Sequence, residues 1–303
     1  MVKKLRAFNF VKGYKITFTI AAVFIAAGLI GLILSIFGVN MFNFDIDFVG
    51  GTTMQFEMHQ TVTSAISSDV AKITKDTSGI APSSVTKAGD SGTQVVIRTK
   101  ELDSETRDKV FAAVKAAYKL PDTDTPIKSD YVSASVGNDL KKSAVVASLL
   151  AVLLILVYIT IRFEFRSGVA AVCALLHDLL TMLSMYVIFR IPFNMNFIAA
   201  ALTILGYSIN ATIVVFDRVR ENKKLNPKTP FGDVVNMSIH QTMSRSINTT
   251  LTTLFPIVLL LILGVSSIRN FAIPVTVGVI CGCFSSVCIS GPLWTMMEAK
   301  KKA

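Results

Sequence analysis

Two kinds of pattern alternate along the chain. Ile16–Phe37 is an apolar run without a charged residue. Five further apolar runs follow at Ser143–Ile161, Val169–Phe189, Phe197–Phe216, Ile247–Gly264 and Phe271–Trp294. Runs of about 20 apolar residues are the length that an α-helix needs to cross hydrocarbon. Between the first and second runs, residues 40–141 are polar and patterned differently. Thr52, Met54, Phe56 and Met58 alternate with Thr53, Gln55 and Glu57, the period of a half-buried strand. Val62, Ile66, Val70 and Ile73 recur at helical spacing, and Val95-Val-Ile97 lies in a short strand over Thr93–Thr99. Asp103-Ser104 can cap a helix with the stripe Val110, Phe111, Val114 and Tyr118, and Tyr131–Val136 reads as a last strand. The predicted order is β-α-β-α-β, a small α+β domain of ferredoxin-like type with its helices on one side of a sheet.

Composition agrees with the pattern. The 303 residues are 52% hydrophobic and 17% charged, with a mean hydropathy of +0.58. Soluble domains carry roughly 25% charged residues. The first apolar run is longer than the core of a signal peptide and lacks an A-x-A cleavage pattern, so it reads as an uncleaved helix. The net charge is +10, and its placement sets an orientation. With residues 1–15 in the cytoplasm, that side receives Lys3, Lys4, Arg6, Lys12, Lys15, Arg162, Arg166, Arg218, Arg220, Lys223, Lys224, Lys228, Arg245 and Lys300 to Lys302. The short outer loops receive Arg190 and Arg269 alone. Positive loops face the cytoplasm. This puts residues 40–141 outside it and both termini (1–15 and 295–303) inside, with a cytoplasmic loop over 217–245. The basic excess then reports topology, and no nucleic acid partner is expected.

Chemistry-bearing groups are few. Cys173, Cys281, Cys283 and Cys288 all sit in apolar runs without zinc spacing and read as small apolar residues. No nucleotide-binding loop, hydrolytic triad or metal-ligand pattern occurs, so neither an enzyme nor a cofactor is expected. Work done by such a chain would draw on an ion gradient, where one charge through 100 mV is worth roughly 2.3 kcal/mol.

The informative groups are polar residues inside apolar runs. Asp178 falls roughly 16 Å into the third run at 1.5 Å per residue. An intramembrane carboxylate is a functional candidate, or else a helix-gluing structural acid. His177 is expected on a different face, since adjacent helical residues diverge by about 100°. The fourth run carries Thr203, Tyr207, Asn210, Val214 and Asp217 on one face, and the fifth answers with Arg245, Asn248 or Thr249, Thr252 and Pro256. Asp217 and Arg218 read as an interfacial, structural pair. Ala27-x3-Gly31 and Gly278-x3-Gly282 follow the small-xxx-small pattern of close helix packing. Gly50-Gly51 reads as a bulge or turn entering the sheet.

Several motifs together resemble the SecF branch of the SecD/SecF family of bacterial protein-export subunits, within the resistance-nodulation-division superfamily. They are Asp47-Phe-Val-Gly-Gly-Thr52, Arg162-Phe-Glu-Phe-Arg166, Leu176-His-Asp178, Gly206-Tyr-Ser-Ile-Asn210, Val215-Phe-Asp-Arg-Val-Arg-Glu-Asn222, Ser244-Arg-Ser-Ile-Asn-Thr-Thr250 and Ser285-Ser-Val-Cys-Ile-Ser-Gly-Pro292. They run in order through nearly the whole chain. The resemblance implies a six-span fold in the bacterial cytoplasmic (inner) membrane and a SecD-like partner. It also implies action beside the SecYEG channel on translocating polypeptide, driven by the proton-motive force. In the family the span-four motif reads Gly-Tyr-Ser-Ile/Leu-Asn-Asp-Thr, and its Asp is a candidate proton carrier facing the Arg matching Arg245. This chain has Ala211 there, which cannot titrate. The proton-path candidates are therefore Asp178, Asn210, Thr212 and Arg245 around an acid-free position 211. Three readings stand open: the SecD subunit carries the proton, Asp178 takes a larger share, or coupling is reduced. A small-solute exporter half and a non-transporting scaffold are the alternative functions.

Overall fold

The structure is a computed structural model that describes residues 8–39, 41–89, 91–264 and 266–299. The basic residues Lys3, Lys4 and Arg6 and the terminal Lys300 to Lys302 lie outside the described residues. The chain divides into two compact units, Phe44–Val145 and the remainder.

Six helices are long and apolar enough to cross a membrane, as the hydrophobic pattern predicts. They are α1 (Tyr14–Ile36), α4 (Ala134–Arg162), α5 (Phe165–Phe189), α6 (Met195–Leu225), α7 (Phe231–Leu263) and a last helix. The last begins as α8 (Ser266–Ser285), passes through a π-helical turn at Ser286–Ser290 and ends as α9 (Gly291–Ala299). The smaller unit holds β1 (Gly51–Glu57), α2 (Ser64–Ser78), β2 (Ser84–Ala88), β3 (Gln94–Thr99), α3 (Ser104–Tyr118) and β4 (Lys128–Val132).

In the smaller unit the strands form one antiparallel sheet in the order β2-β3-β1-β4. Met54 faces Ile97 and Phe56 faces Val95 across the central pair. These four are buried with Val70, Val110 and Val114 of the two helices, so both helices cover the same face. Asp103 caps α3 by accepting from the Thr106 amide at 2.9 Å, and α2 ends at Gly79 in the left-handed region (φ 71°). Two expectations are corrected. The element order is β-α-β-β-α-β, because Ser84–Ala88 is a strand at the sheet edge; its single large apolar residue, Val85, gives almost no alternation to read. The last strand ends at Val132, and residues 134–136 open α4 instead, since Ser133 breaks the ladder and caps with its hydroxyl toward the Val136 amide. Gly50 (φ 74°) and Gly51 (φ 124°) sit in conformations that favour glycine. A Cβ at Gly51 would strike the Thr99 carbonyl oxygen, and one at Gly50 would lie 2.7 Å from the Ala134 Cα. Asp47 lies in a single helical turn, Ile46–Val49, just ahead of them, whose N-cap Asp45 also binds Arg98 at 3.0 Å.

In the larger unit α5, α6 and α8 form the packed centre, with α1 along α5 and α7 along α6 and α8. The end of α4 joins that centre through Ile155 and Ile159. Close approach comes from glycines. A Cβ on Gly278 would collide with the Ile204 side chain, and one on Gly282 would lie 3.1 Å from the Ser208 Cβ, so α8 lies directly on α6. On α1 the close contacts are made by Gly28, against the Leu180 backbone and Ser184, and by Gly31, against Val187. Gly28, beside the expected Ala27, thus adds a second close approach to that of Gly31. The Gly28 amide donates to the Ser184 hydroxyl at 2.7 Å. Residues 217–245, expected as a loop, are mostly helical: α6 continues to Leu225, and α7 already begins at Phe231 after Pro230. Polarity ends a membrane span without ending a helix, and Arg218–Glu221 at i,i+3 supports the extension.

Two large apolar clusters occupy the larger unit, beside a small one of Ala21, Ala174 and Ile289. One contains Met182, Tyr186, Phe197, Ile204 and Val275, the other Val215, Phe216, Val219, Ile239 and Trp294. Along α5, α6 and the last helix, buried polar residues lie between the two large clusters, among them Asp178, Ser208 and Ser285.

Candidate functional site

Asp178 is fully buried on α5. Its Oδ2 accepts from the Ser208 hydroxyl of α6 at 2.6 Å and from the Ser285 hydroxyl of α8 at 2.7 Å. Its Oδ1 lies 3.0 Å from His177 Nδ1. The expectation that His177 turns away is corrected: the backbone positions diverge, but Nδ1 is close enough to its own main chain to swing back to the next carboxyl. Each hydrogen bond to a charged group contributes about 1.5–3 kcal/mol. Three helices are thus tied to one carboxyl, and Gly282 is what lets α8 come near enough to Ser208. The His177–Asp178 contact serves two protonation arrangements. A proton on Nδ1 faces a carboxylate, and a proton on Oδ1 faces the imidazole lone pair. His177 Nε2 is buried without a partner among the described residues, and the ring lies 5.9 Å from that of Phe284.

A second polar place lies between α6 and α7. Tyr207, Asn210, Ala211, Val214, Arg245, Ser246 and Thr249 line a cavity of about 80 Å³. Position 211 and Arg245 therefore share one pocket, as the facing stripes predict. Thr212 does not join them; it is fully buried, and its hydroxyl has no partner among the described residues. The Tyr207 hydroxyl donates to Thr250 at 2.8 Å across the two helices. The hydroxyls of Thr203, Thr249 and Thr252 bond back to carbonyls of their own helices. Asp178 is not among the residues lining this pocket.

Asp217 and Arg218 do not pair with each other. Asp217 lies 3.7 Å from Arg162. Arg218 reaches Glu221 at 2.6 Å and Gln241 at 2.5 Å, and Gln241 also accepts from Asn222 at 2.7 Å. Adjacent helical residues point apart, and here each finds a partner on its own side.

Sequence reasoning missed the role of Ser285 and the π-turn behind it. The signal was Pro292, which has no N–H and so frees the carbonyl four residues earlier, that of Cys288. That carbonyl accepts from the buried Thr17 hydroxyl of α1 at 3.2 Å. π-turns inside α-helices concentrate at functional sites, and this one follows Ser285 directly.

These features define a polytopic helical membrane protein with a buried ionisable pair at its centre and a separate α+β unit. Residues 113–300 match the family described as "Protein export membrane protein SecD/SecF, C-terminal". The protein translocase subunit SecF of Sebaldella termitidis is 40% identical over 267 residues, covering 86% of this chain and 84% of that protein. The protein translocase subunit SecDF of Bacillus subtilis is 37% identical over 97% of this chain but only 38% of its own length. The crystal structure of SecDF, a translocon-associated membrane protein of Thermus thermophilus, superposes with a TM-score of 0.81 at 32% identity, covering 98% of this chain and 39% of that one. The chain belongs to the SecD/SecF family.

Proposed function

We propose that this chain is an accessory subunit of a protein translocase. It assists polypeptide export across the bacterial inner membrane beside SecYEG, together with a SecD-like partner and the proton-motive force. The observation that carries this reading is the alignment with SecF of Sebaldella termitidis over most of both chains. The SecDF relatives, in which this chain corresponds to 38% and 39% of a longer protein, support a SecD-like partner for the remainder. Basic residues at the facing ends of α4 and α5, and at the end of α6 with Lys228 after it, support cytoplasmic termini and an extracytoplasmic Phe44–Val145 unit. Its β-α-β-β-α-β order with sheet order β2-β3-β1-β4 supports the ferredoxin-like reading of this unit, whose role would be to handle emerging polypeptide.

In this reading Asp178, hydrogen-bonded to His177, is the proton-carrying group, and the Asn210–Ala211–Arg245 cleft is the frame of a second site without an acid. Export driven by an imposed proton gradient tests it in membranes containing this chain and its partner. Asp178→Asn should lower gradient-dependent export at least tenfold, and Ala211→Asp should raise it. If neither substitution changes export, this subunit is not the proton path. The scaffold reading, which Ala211 favours, then stands. Solute export is the weaker reading, since only one α+β unit is present among the described residues.

A further inference from the structure

Arg245 raises a question of charge balance. A guanidinium remains protonated at any physiological pH. The Arg245 guanidinium makes no ion pair or hydrogen bond with a described residue. It borders an apolar helix segment, where an uncompensated cation is unfavourable. The pocket it lines contains no carboxylate, because position 211 is Ala. What the walls offer is donors. Asn210 has no partner among the described residues, and Ser246 is 6% exposed with its hydroxyl buried and unpaired. The Thr249 and Tyr207 hydroxyls are already spent on the Arg245 carbonyl and on Thr250.

The geometry points to a small-anion site: the α6–α7 cavity takes a monovalent ion of halide size, held by the Arg245 guanidinium with the Asn210 amide and Ser246 hydroxyl beside it. A single water needs about 10–15 Å³ of such space. The cavity of about 80 Å³ therefore admits a halide with a few waters and excludes a large organic anion. Apolar Ala211 and Val214 complete the wall and leave the anion without a competing carboxylate. The inference deepens the acid-free cleft of the proposed function: the ion supplies the negative charge that position 211 lacks.

The test uses the full chain in lipid nanodiscs. Thermal unfolding is followed in sodium chloride or bromide against sodium gluconate at equal ionic strength. A halide at tenfold its Kd should raise Tm by about 2–4 °C, saturably. Arg245→Gln should abolish the rise, and Ser246→Ala should weaken it. Ala211→Asp provides an independent arm should Arg245→Gln fold poorly. An internal carboxylate should raise Tm in gluconate and remove the halide response. The inference is overturned if wild type shows no halide-specific rise, or if the rise persists in Arg245→Gln or Ala211→Asp. It is also overturned if a carboxylate-bearing partner subunit alone stabilises the chain while halide does not. Because binding is read on the isolated chain, its failure leaves the export reading standing, and the failure of export leaves this measurement standing.

Discussion

Asp178 shows how a buried acid can be held without an arginine or lysine beside it. Two hydroxyls from α6 and α8 share Oδ2, and the neighbouring imidazole takes Oδ1. An amide fits the same frame. In Asp178→Asn the carbonyl keeps Ser208 and Ser285, and the NH2 group donates to His177 Nδ1. That variant should unfold within about 2 °C of wild type in nanodiscs while losing the titrating group. Asp178→Leu should behave differently. It leaves the Ser208 hydroxyl and His177 Nδ1 unpaired at about 1–3 kcal/mol each, while Ser285 keeps only the Gly282 carbonyl at 3.3 Å, so its Tm should fall by roughly 10 °C. Equal stability of the two variants would show that the hydrogen bonds are not what holds the three helices. The acid itself was legible in the sequence, because a carboxyl in an apolar run stands out. Its partners were not. Serines are common in apolar helices, and which of them meets Asp178 depends on helix rotation, which spacing alone leaves undetermined.

At the scale of elements, the last helix carries the least ordinary geometry. Pro292 removes an N–H, the helix widens through Ser286–Ser290, and Thr17 of α1 takes up the Cys288 carbonyl. The two residues should therefore be coupled. Thr17→Val should destabilise the chain by about 0.5–1.5 kcal/mol, the worth of a neutral hydrogen bond. In a Pro292→Ala background, where the helix can reclaim the carbonyl, the same substitution should cost almost nothing. A double-mutant cycle by thermal unfolding measures the difference; additive effects would sink the account. The long apolar helices were legible because their period and length are unambiguous. The extensions of α6 to Leu225 and of α7 back to Phe231 were not, since charge marks where a helix leaves hydrocarbon and says little about where it stops.

At the scale of the whole molecule, two compact units lie in one chain, and each has its own apolar core. The smaller one should fold alone as residues 44–133. Its α2 and α3 are joined by the Tyr118 hydroxyl donating to Asp69 at 2.8 Å. Burial, then the hydrogen bond to the Asp69 carboxylate, pushes the Tyr118 hydroxyl up to about 12 from an ordinary value of 10. Between pH 10 and 12 the unfolded chain loses this proton while the folded chain keeps it, so stability falls as pH rises through that window. Tyr118→Phe should flatten that part of the Tm–pH curve; an unchanged slope would assign the loss to other groups. The fold of this unit was largely legible. The exception, Ser84–Ala88, is an edge strand whose place depends on pairing with β3 rather than on its own alternation. The bond from Thr17 to Cys288 also bears on how the larger unit is made. A ribosome delivers α1 first and the last helix at the end, so the hydroxyl waits in the bilayer through the synthesis of four other spans. Until α1 and the last helix meet, the Cys288 carbonyl, whose i+4 donor Pro292 lacks, goes without the Thr17 hydroxyl in a medium that offers no water. The bundle thus closes late: a chain whose first helix is missing or inverted leaves the Cys288 carbonyl without the Thr17 hydroxyl.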